Sequence, residues 1–202
     1  LTLTSGHASG ITDSGTVTVG GNLAATTDAN SGVINLGTLA VDGTVQLTTN
    51  GSGNATVVND AGLNFAASTV RGNLVATAAT GNMTDSGALT VAGTTTLTTS
   101  ADNGTITLNN ANAFTGAVTI TTNDNSGTDA DVTIDGGTTA LVLAASTVDG
   151  DLTVTNGNSI TDSGLVTVGG NLAATTDANN GVINMGTLAV DGIIALATNG
   201  SG

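Results

Sequence analysis

One long stretch occurs twice in this chain of 202 residues. Segments 11–53 and 160–202 are 149 positions apart and are identical at 36 of 43 positions. A repeated unit of this kind buries its apolar face by stacking on its neighbours. The repeat therefore predicts one continuous elongated body over residues 1–202. We also expect the chain to be a slice of a longer repeat protein.

The 149-residue repeat is itself made of two diverged halves. The tetrad Thr-Asp-Ser-Gly starts at Thr12, Thr84 and Thr161, so the half-repeats span 72 and 77 positions. Each half divides into three segments that combine short alternating runs with turn residues. We interpret each segment as one coil of about 21–28 residues, a length typical of solenoid repeats. The boundaries of the segments are 16–36, 37–60, 61–87, 88–110, 111–138 and 139–164.

The runs inside each segment have the period-two pattern of β-strands. Val, Leu, Ile and Thr alternate between Gly-Gly, Asn-Gly and Asp-Gly turns, and proline is absent, so no run is barred from a hydrogen-bonded ladder. We predict an all-β chain, a right-handed parallel β-helix (β-solenoid) with about three short strands per coil. Inward-facing side chains are expected at Val17, Val19, Leu39, Val41, Val45, Leu47, Leu74, Leu89, Val91, Leu97, Ile106, Leu108, Val118, Ile120, Val132, Ile134, Leu141, Leu143, Leu152, Val154, Val166, Val168, Leu188, Val190, Ile194 and Leu196.

The charge balance argues against several functions. The chain has fifteen acidic residues, all Asp, and its only basic residue besides one His is Arg71, so the net charge is −14. Nucleic acids and anionic lipids are bound by cations, so we expect neither as a partner, and no apolar run is long enough for membrane insertion. There is no cysteine, hence no disulfide and no thiol chemistry. The scarcity of Lys favours an extracellular or cell-surface location.

The aspartates of the three tetrads, Asp13, Asp85 and Asp162, have two interpretations. Carboxylates are suitable calcium ligands, but tetrads three coils apart cannot share an ion. The interpretation that we favour is a structural turn, in which each Asp accepts hydrogen bonds from nearby backbone N–H groups.

A second acidic patch lies at 123–135. Alternation from Val132 and Ile134 places Asp129, Asp131 and Asp135 on one outward face, which makes them weak candidates for a calcium site. The favoured alternative is a charged edge that discourages side-to-side aggregation. Calcium is the only cofactor considered, and the spacing matches no known calcium loop.

The sequence offers no set of catalytic residues. His7 has no second His or Cys beside it, and Arg71 fits a surface position next to an Asp. Outward Thr-x-Thr pairs such as Thr94/Thr96 are similar to the threonine arrays of ice-binding solenoids. The rows do not look continuous from coil to coil, however, and Thr on a β-surface is expected from propensity alone.

Short Val/Leu/Thr strands, Asn-Gly and Asp-Gly corners and scarce Lys and Cys resemble the β-helical shafts of filamentous-haemagglutinin-type exoproteins. These are two-partner-secretion adhesins, and related repeats occur in autotransporters and giant surface adhesins. The resemblance covers the whole chain in style and carries no diagnostic motif. It implies secretion and a role in attachment.

We therefore expect the structural shaft of a secreted or cell-surface bacterial filament or adhesin, with a role in attachment or in a biofilm matrix and without catalysis. Its partners would be further coils of the same chain or identical subunits end to end, and a host-surface or matrix ligand would bind elsewhere. One alternative is a self-assembling extracellular fibre or surface-layer subunit. A glycan-binding or ice-binding solenoid face is a further alternative.

Overall fold

The computed structural model describes residues 1–28, 31–123 and 129–200, and of residues 178 and 179 only the backbone. In these ranges the chain forms strands and turns. The strands of the first half are β1 (Thr2–Ser5), β2 (Ile11–Thr12), β3 (Val17–Val19), β4 (Leu23–Thr27), β5 (Ile34–Val41), β6 (Thr44–Thr48), β7 (Ala55–Asn59), β8 (Leu63–Phe65), β9 (Ser68–Val70), β10 (Leu74–Ala78), β11 (Met83–Asp85), β12 (Leu89–Val91) and β13 (Thr95–Thr99). The second half contains β14 (Ile106–Leu108), β15 (Ala113–Phe114), β16 (Val118–Thr121), β17 (Val132–Asp135), β18 (Leu141–Leu143), β19 (Ser146–Val148), β20 (Leu152–Asn156), β21 (Ile160–Asp162), β22 (Val166–Val168), β23 (Leu172–Asn179), β24 (Ile183–Asn184), β25 (Leu188–Val190) and β26 (Ile194–Asn199).

Within these residues no helix has the length and apolar character needed to cross a membrane.

All strand pairs are parallel, and they build two sheets that face each other across one core. The first sheet, sheet A, contains β1, β4, β6, β8, β9, β11, β12, β14, β15, β17, β20, β23 and β26. The second, sheet B, contains β2, β3, β5, β7, β10, β13, β16, β18, β19, β21, β22, β24 and β25. The chain alternates between the sheets and climbs by one strand spacing per coil, over about 9 turns. The predicted β-solenoid is confirmed.

The coils do not coincide with the segments assigned from the sequence. The shortest steps in register, such as Ala55 to Leu74, span 19 positions, and the longest, such as Ile106 to Val132, span 26. Seven such steps lead through sheet B from Ile11 to β21, the strand that holds its copy Ile160. One 149-residue repeat is therefore seven coils, and the expected division into six segments is wrong.

Because a half-repeat contains three and a half coils, equivalent residues alternate between the two sheets. The first tetrad begins on sheet B with Thr12 in β2, the second lies on sheet A with Thr84 in β11, and the third returns to sheet B with Thr161 in β21. The expected separation of three coils between tetrads is wrong by half a coil. The two halves of the repeat consequently present the same motifs on opposite sides of the rod.

The core is formed by stacked aliphatic side chains, as the alternation predicted. All but five of the expected inward residues are buried. The exceptions belong to the outermost coils: Val17, Leu188 and Val190 are partly buried, whereas Ile194 and Leu196 are 48% and 53% exposed because β26 has no described strand on its outer side. Burial of stacked side chains supplies the main stabilisation of each coil.

Glycine is required at the corners that enter a strand, because a side chain from the preceding coil occupies the space. Asn54 Oδ1 accepts the N–H of Asn73 at 2.8 Å, and Asn73 Oδ1 accepts that of Thr94 at 2.9 Å. A Cβ on Gly72 would collide with Asn54 Oδ1, and one on Gly93 with Asn73 Oδ1. The Gly-Asn corner is therefore a stacking device that satisfies a backbone donor left outside the strands.

At two places along the rod, the bend within each coil moves from one sheet to the other. In sheet A, the straight strand β6 lies against two short strands, β8 and β9, which meet at a bend. The bend removes a backbone partner from Leu47, and Ser68 Oγ accepts its N–H at 3.0 Å instead. In sheet B, β16 lies in the same way against β18 and β19, and Ser146 Oγ accepts the N–H of Ile120 at 3.0 Å.

The glycine requirement is testable on a matched pair within the repeat. Gly21 and Gly170 occupy identical local sequences, but a Cβ on Gly170 would lie 2.9 Å from the Gly150 carbonyl carbon and closer still to Asp151 Oδ1, whereas one on Gly21 meets nothing within 4 Å. Gly170→Ala should lower the free energy of unfolding by about 1–3 kcal/mol. Gly21→Ala should change it by less than about 0.5 kcal/mol in the same urea titration. Equal effects would contradict the steric explanation.

The corner serines give a second prediction. Ser68→Ala leaves the buried N–H of Leu47 without an acceptor, and such a loss costs about 1–3 kcal/mol. Ser146→Ala should have a similar effect at the other corner. The exposed Ser14→Ala serves as the control, with an expected change below about 0.5 kcal/mol in chemical denaturation. A Ser68→Ala variant as stable as that control would show that water replaces the hydroxyl.

Candidate functional site

The tetrad aspartates accept backbone N–H groups of the next coil, whereas the turn interpretation placed the donors close to each Asp. Asp13 Oδ2 accepts hydrogen bonds from Thr38 N at 2.7 Å and from Thr38 Oγ1 at 2.9 Å. Asp162 accepts the backbone N–H groups of Gly186 at 2.8 Å and Thr187 at 2.7 Å, and also the Thr187 hydroxyl. Both carboxylates therefore bridge consecutive coils through backbone donors.

Asp85 lies on the opposite sheet and also bridges coils, with different partners. Its carboxylate accepts the N–H groups of Asn109 and Asn110 at 3.0 Å and 3.2 Å, and the amide of Asn112 at 2.9 Å. Asn112 is fully buried and also accepts the N–H of Leu89 at 2.7 Å. The carboxylate is thus part of a closed network of hydrogen bonds between coils.

The acidic patch is distributed along the rod surface. Asp131 precedes β17 and Asp135 is its last residue. Asp131 Oδ1 accepts the N–H of Asp151 at 2.8 Å, and Asp135 Oδ1 accepts that of Gly137 at 2.8 Å. Asp129 is exposed and lines a groove with Asp149. Within the ranges that the structure describes, no group of three or more acidic, His or Cys side chains could hold a metal ion. Of the sequence patch, residues 124–128 lie outside the described residues.

His7 and Arg71 lie at separate turns. His7 is exposed, and its Nδ1 accepts the N–H of Ser9 at 3.1 Å, which closes a local turn. Arg71 is exposed at the rim of a groove that also contains Asp28 and Asn50. The grooves on the described surface are shallow and are lined by both strand and turn residues; one of about 390 Å³ surrounds Gly62.

Inward-facing threonines were missed by the sequence analysis, which placed Thr on the outside. Thr27, Thr49, Thr99 and Thr176 are buried, and each hydroxyl donates to the carbonyl of a glycine four or five positions later, at 2.9, 2.8, 2.7 and 3.1 Å. The acceptors are Gly32, Gly53, Gly104 and Gly181. In three of these four pairs the Thr stands five positions before the Gly, and this spacing was the available signal.

Outward threonines form continuous columns, so the expectation of interrupted rows is wrong at these positions. Register places five of them above one another in consecutive coils of each sheet. In sheet A they are Thr4, Thr26, Thr48, Thr69 and Thr90. In sheet B they are Thr77, Thr98, Thr121, Thr147 and Thr167.

These features define a β-solenoid repeat protein whose described surface consists of strand faces and turns. The chain belongs to the family described as Repeats of unknown function (DUF5649), whose model matches residues 52–121 and 129–202. The two matches start 77 positions apart, which equals the spacing of the second and third tetrads. The family unit therefore corresponds to one half-repeat of three and a half coils. Comparison with curated proteins and with solved structures gives no match.

The hydrogen bonds of Asp162 predict an acid-sensitive contribution to stability. The Thr187 hydroxyl and the backbone donors lower the pKa of Asp162 below its ordinary value of 3.8, although burial acts in the opposite direction. For Asp13, burial acts to raise the pKa, but the hydrogen bonds from Thr38 and Gly37 outweigh it, so this pKa is also lowered. A lowered pKa stabilises the folded state above pH 3.8, and the contribution is lost as pH falls below that value.

Asp162→Asn should therefore reduce stability near neutral pH and weaken the loss of stability on acidification. The measurement is the urea midpoint at about pH 7 and again below pH 3.8, the ordinary pKa of this carboxyl. Asp60→Asn removes the same charge from a carboxylate that accepts no hydrogen bond from the described part of the chain, and it controls for net charge. An identical pH response of both variants would argue that general charge repulsion, and not the Asp162 contacts, determines the acid response.

Proposed function

We propose that this chain is a structural rod segment of a secreted or cell-surface filament. The observation that carries the proposal is the unbroken parallel ladder. Both sheets continue from coil to coil over about 9 turns, including the two places where the bend moves from one sheet to the other. At those places Ser68 and Ser146 supply the missing acceptors, so the ladder has no weak joint there. Such a body resists bending and local unfolding, which a shaft requires.

The chemistry of the surface supports a mechanical role over catalysis. The carboxylates of Asp13 and Asp162 accept backbone hydrogen bonds from the next coil and therefore serve the structure. The net charge of −14 keeps neighbouring rods apart in solution. The finer proposal, based on the resemblance to filamentous-haemagglutinin-type shafts, is that the rod carries an adhesive region of the same protein away from the cell.

A self-assembling fibre is the second candidate. Ile194 and Leu196 occupy inward positions in register with Leu172 and Ala174 but are about half exposed on β26. Further coils of the same chain, or the first coil of a second copy, would cover these side chains. Sedimentation of the purified chain at increasing concentration separates the two: end-to-end growth would favour the self-assembling fibre, and a constant monomer would favour continuation within one chain.

The location is tested with antibodies raised against the purified rod and applied to intact cells of the source organism. Labelling along surface filaments before permeabilisation is the expected result. A cytoplasmic protein with a known location is the control for cell integrity. Labelling that requires permeabilisation would contradict the proposal.

A further inference from the structure

One face of the rod is uncharged and periodic over four consecutive coils. In these coils sheet B consists of the single straight strands β7, β10, β13 and β16, because the bend between two short strands lies in sheet A. Each strand contributes two outward residues. These eight residues, called the threonine plateau below, are Thr56, Val58, Val75, Thr77, Thr96, Thr98, Thr119 and Thr121.

The threonine plateau is composed entirely of β-branched side chains in register. Thr56, Val75, Thr96 and Thr119 form one column, and the other residues form the second. The spacing is about 4.8 Å between coils and about 6.6 Å along each strand. β-branched side chains have restricted χ1 rotamers, so methyl and hydroxyl groups are held at fixed positions. Two stiff columns on a hydrogen-bonded ladder make a rigid two-dimensional array.

The hydroxyls of the threonine plateau are not used by the protein. None of its six threonine side chains has a hydrogen-bond partner among the residues that the structure describes. Thr99, which is buried, donates to Gly104, and Thr38 donates to Asp13. The single outward column on sheet A, which includes Thr26 and Thr48, shares the unused hydroxyls, so the plateau is distinguished by its two adjacent columns. The plateau also contains no aspartate in a chain that has fifteen acidic residues. The hydroxyls of the plateau are therefore available to groups outside the protein.

The size and chemistry of the threonine plateau restrict that ligand. Its area, about 14 Å by 10 Å from the strand spacing, is far below the roughly 800 Å² per partner of a stable protein interface. It offers no aromatic ring on which a sugar could stack. A periodic, rigid and uncharged array suits a ligand that is itself periodic. Ordered water fits best. A rigid array loses entropy when it immobilises liquid water, but the water molecules of ice are already immobile.

We propose that the threonine plateau binds the surface of ice. Hydroxyl groups would join the hydrogen-bond lattice of the outermost water layer, while the methyl groups of Thr and Val lie between its molecules. The column continues through Thr147 and Thr167 beyond the plateau, which extends the contact by two coils. The proposal is independent of export and of the role as a shaft.

The test is the partition of the purified 202-residue chain during slow growth of ice from dilute solution. The wild type should be enriched in the ice fraction, whereas a soluble globular protein is excluded. Thr98→Tyr places a ring in the middle of the plateau and should reduce the enrichment to the level of that excluded protein. Exclusion of the wild type from ice would overturn the proposal.

Thr26→Tyr is the matched control. Thr26 is the half-repeat equivalent of Thr98 and lies 72 positions earlier. Its local sequence is Ala-Ala-Thr-Thr, whereas that of Thr98 is Thr-Leu-Thr-Thr, and it faces outward on sheet A. It should retain the wild-type enrichment, with both variants showing the same β-sheet circular dichroism. An equal loss in both variants would overturn the assignment to the plateau. Retention of the wild type on crystalline chitin or cellulose together with exclusion from ice would assign the face to a polysaccharide and overturn it as well.

Discussion

The parallel backbone ladder between consecutive coils is the constraint on which this structure depends. Every coil must present its N–H and C=O groups at the height of the next one, including at turns where regular strands stop. Stacked Asn and Asp side chains meet this requirement at the corners, as Asn54 does for Asn73, and they occupy the space above Gly72. The high glycine content, 30 of 202 residues, is therefore partly a consequence of side chains stacked at the corners.

The half-repeat of three and a half coils gives the rod its two-sided character. Ser68 on sheet A accepts the N–H of Leu47, and Ser146 on sheet B accepts that of Ile120. The two hydrogen bonds are equivalent and lie on opposite sides of the rod. The same relation places one threonine column on each sheet. A straight strand is available on one sheet only where the other sheet carries the corner. This exchange explains why sheet B has one uninterrupted strand per coil from β7 to β16, where the threonine plateau lies.

Much of the fold could be predicted from the sequence, because alternation over short runs identifies inward residues such as Leu97 and Ile134 directly. The coil length could not, since paired residues of adjacent coils are between 19 and 26 positions apart and the sheet exchange leaves no gap in the sequence. Turn propensities identify Asp13 and Asp162 as acceptors of backbone N–H groups, but their donors lie in the next coil and depend on register. The threonine columns and the corner roles of Ser68 and Ser146 depend on register between coils, which the sequence does not reveal.

The most direct test of seven continuous coils per repeat is a distance between spin labels at Thr18 and Thr167. These outward residues are copies 149 positions apart on sheet B, and the chain has no cysteine, so a double-cysteine variant places the labels uniquely. Seven steps of about 4.8 Å predict a narrow distribution near roughly 34 Å in pulsed electron paramagnetic resonance. A maximum near about 29 Å, corresponding to six steps, or a broad distribution would contradict the account.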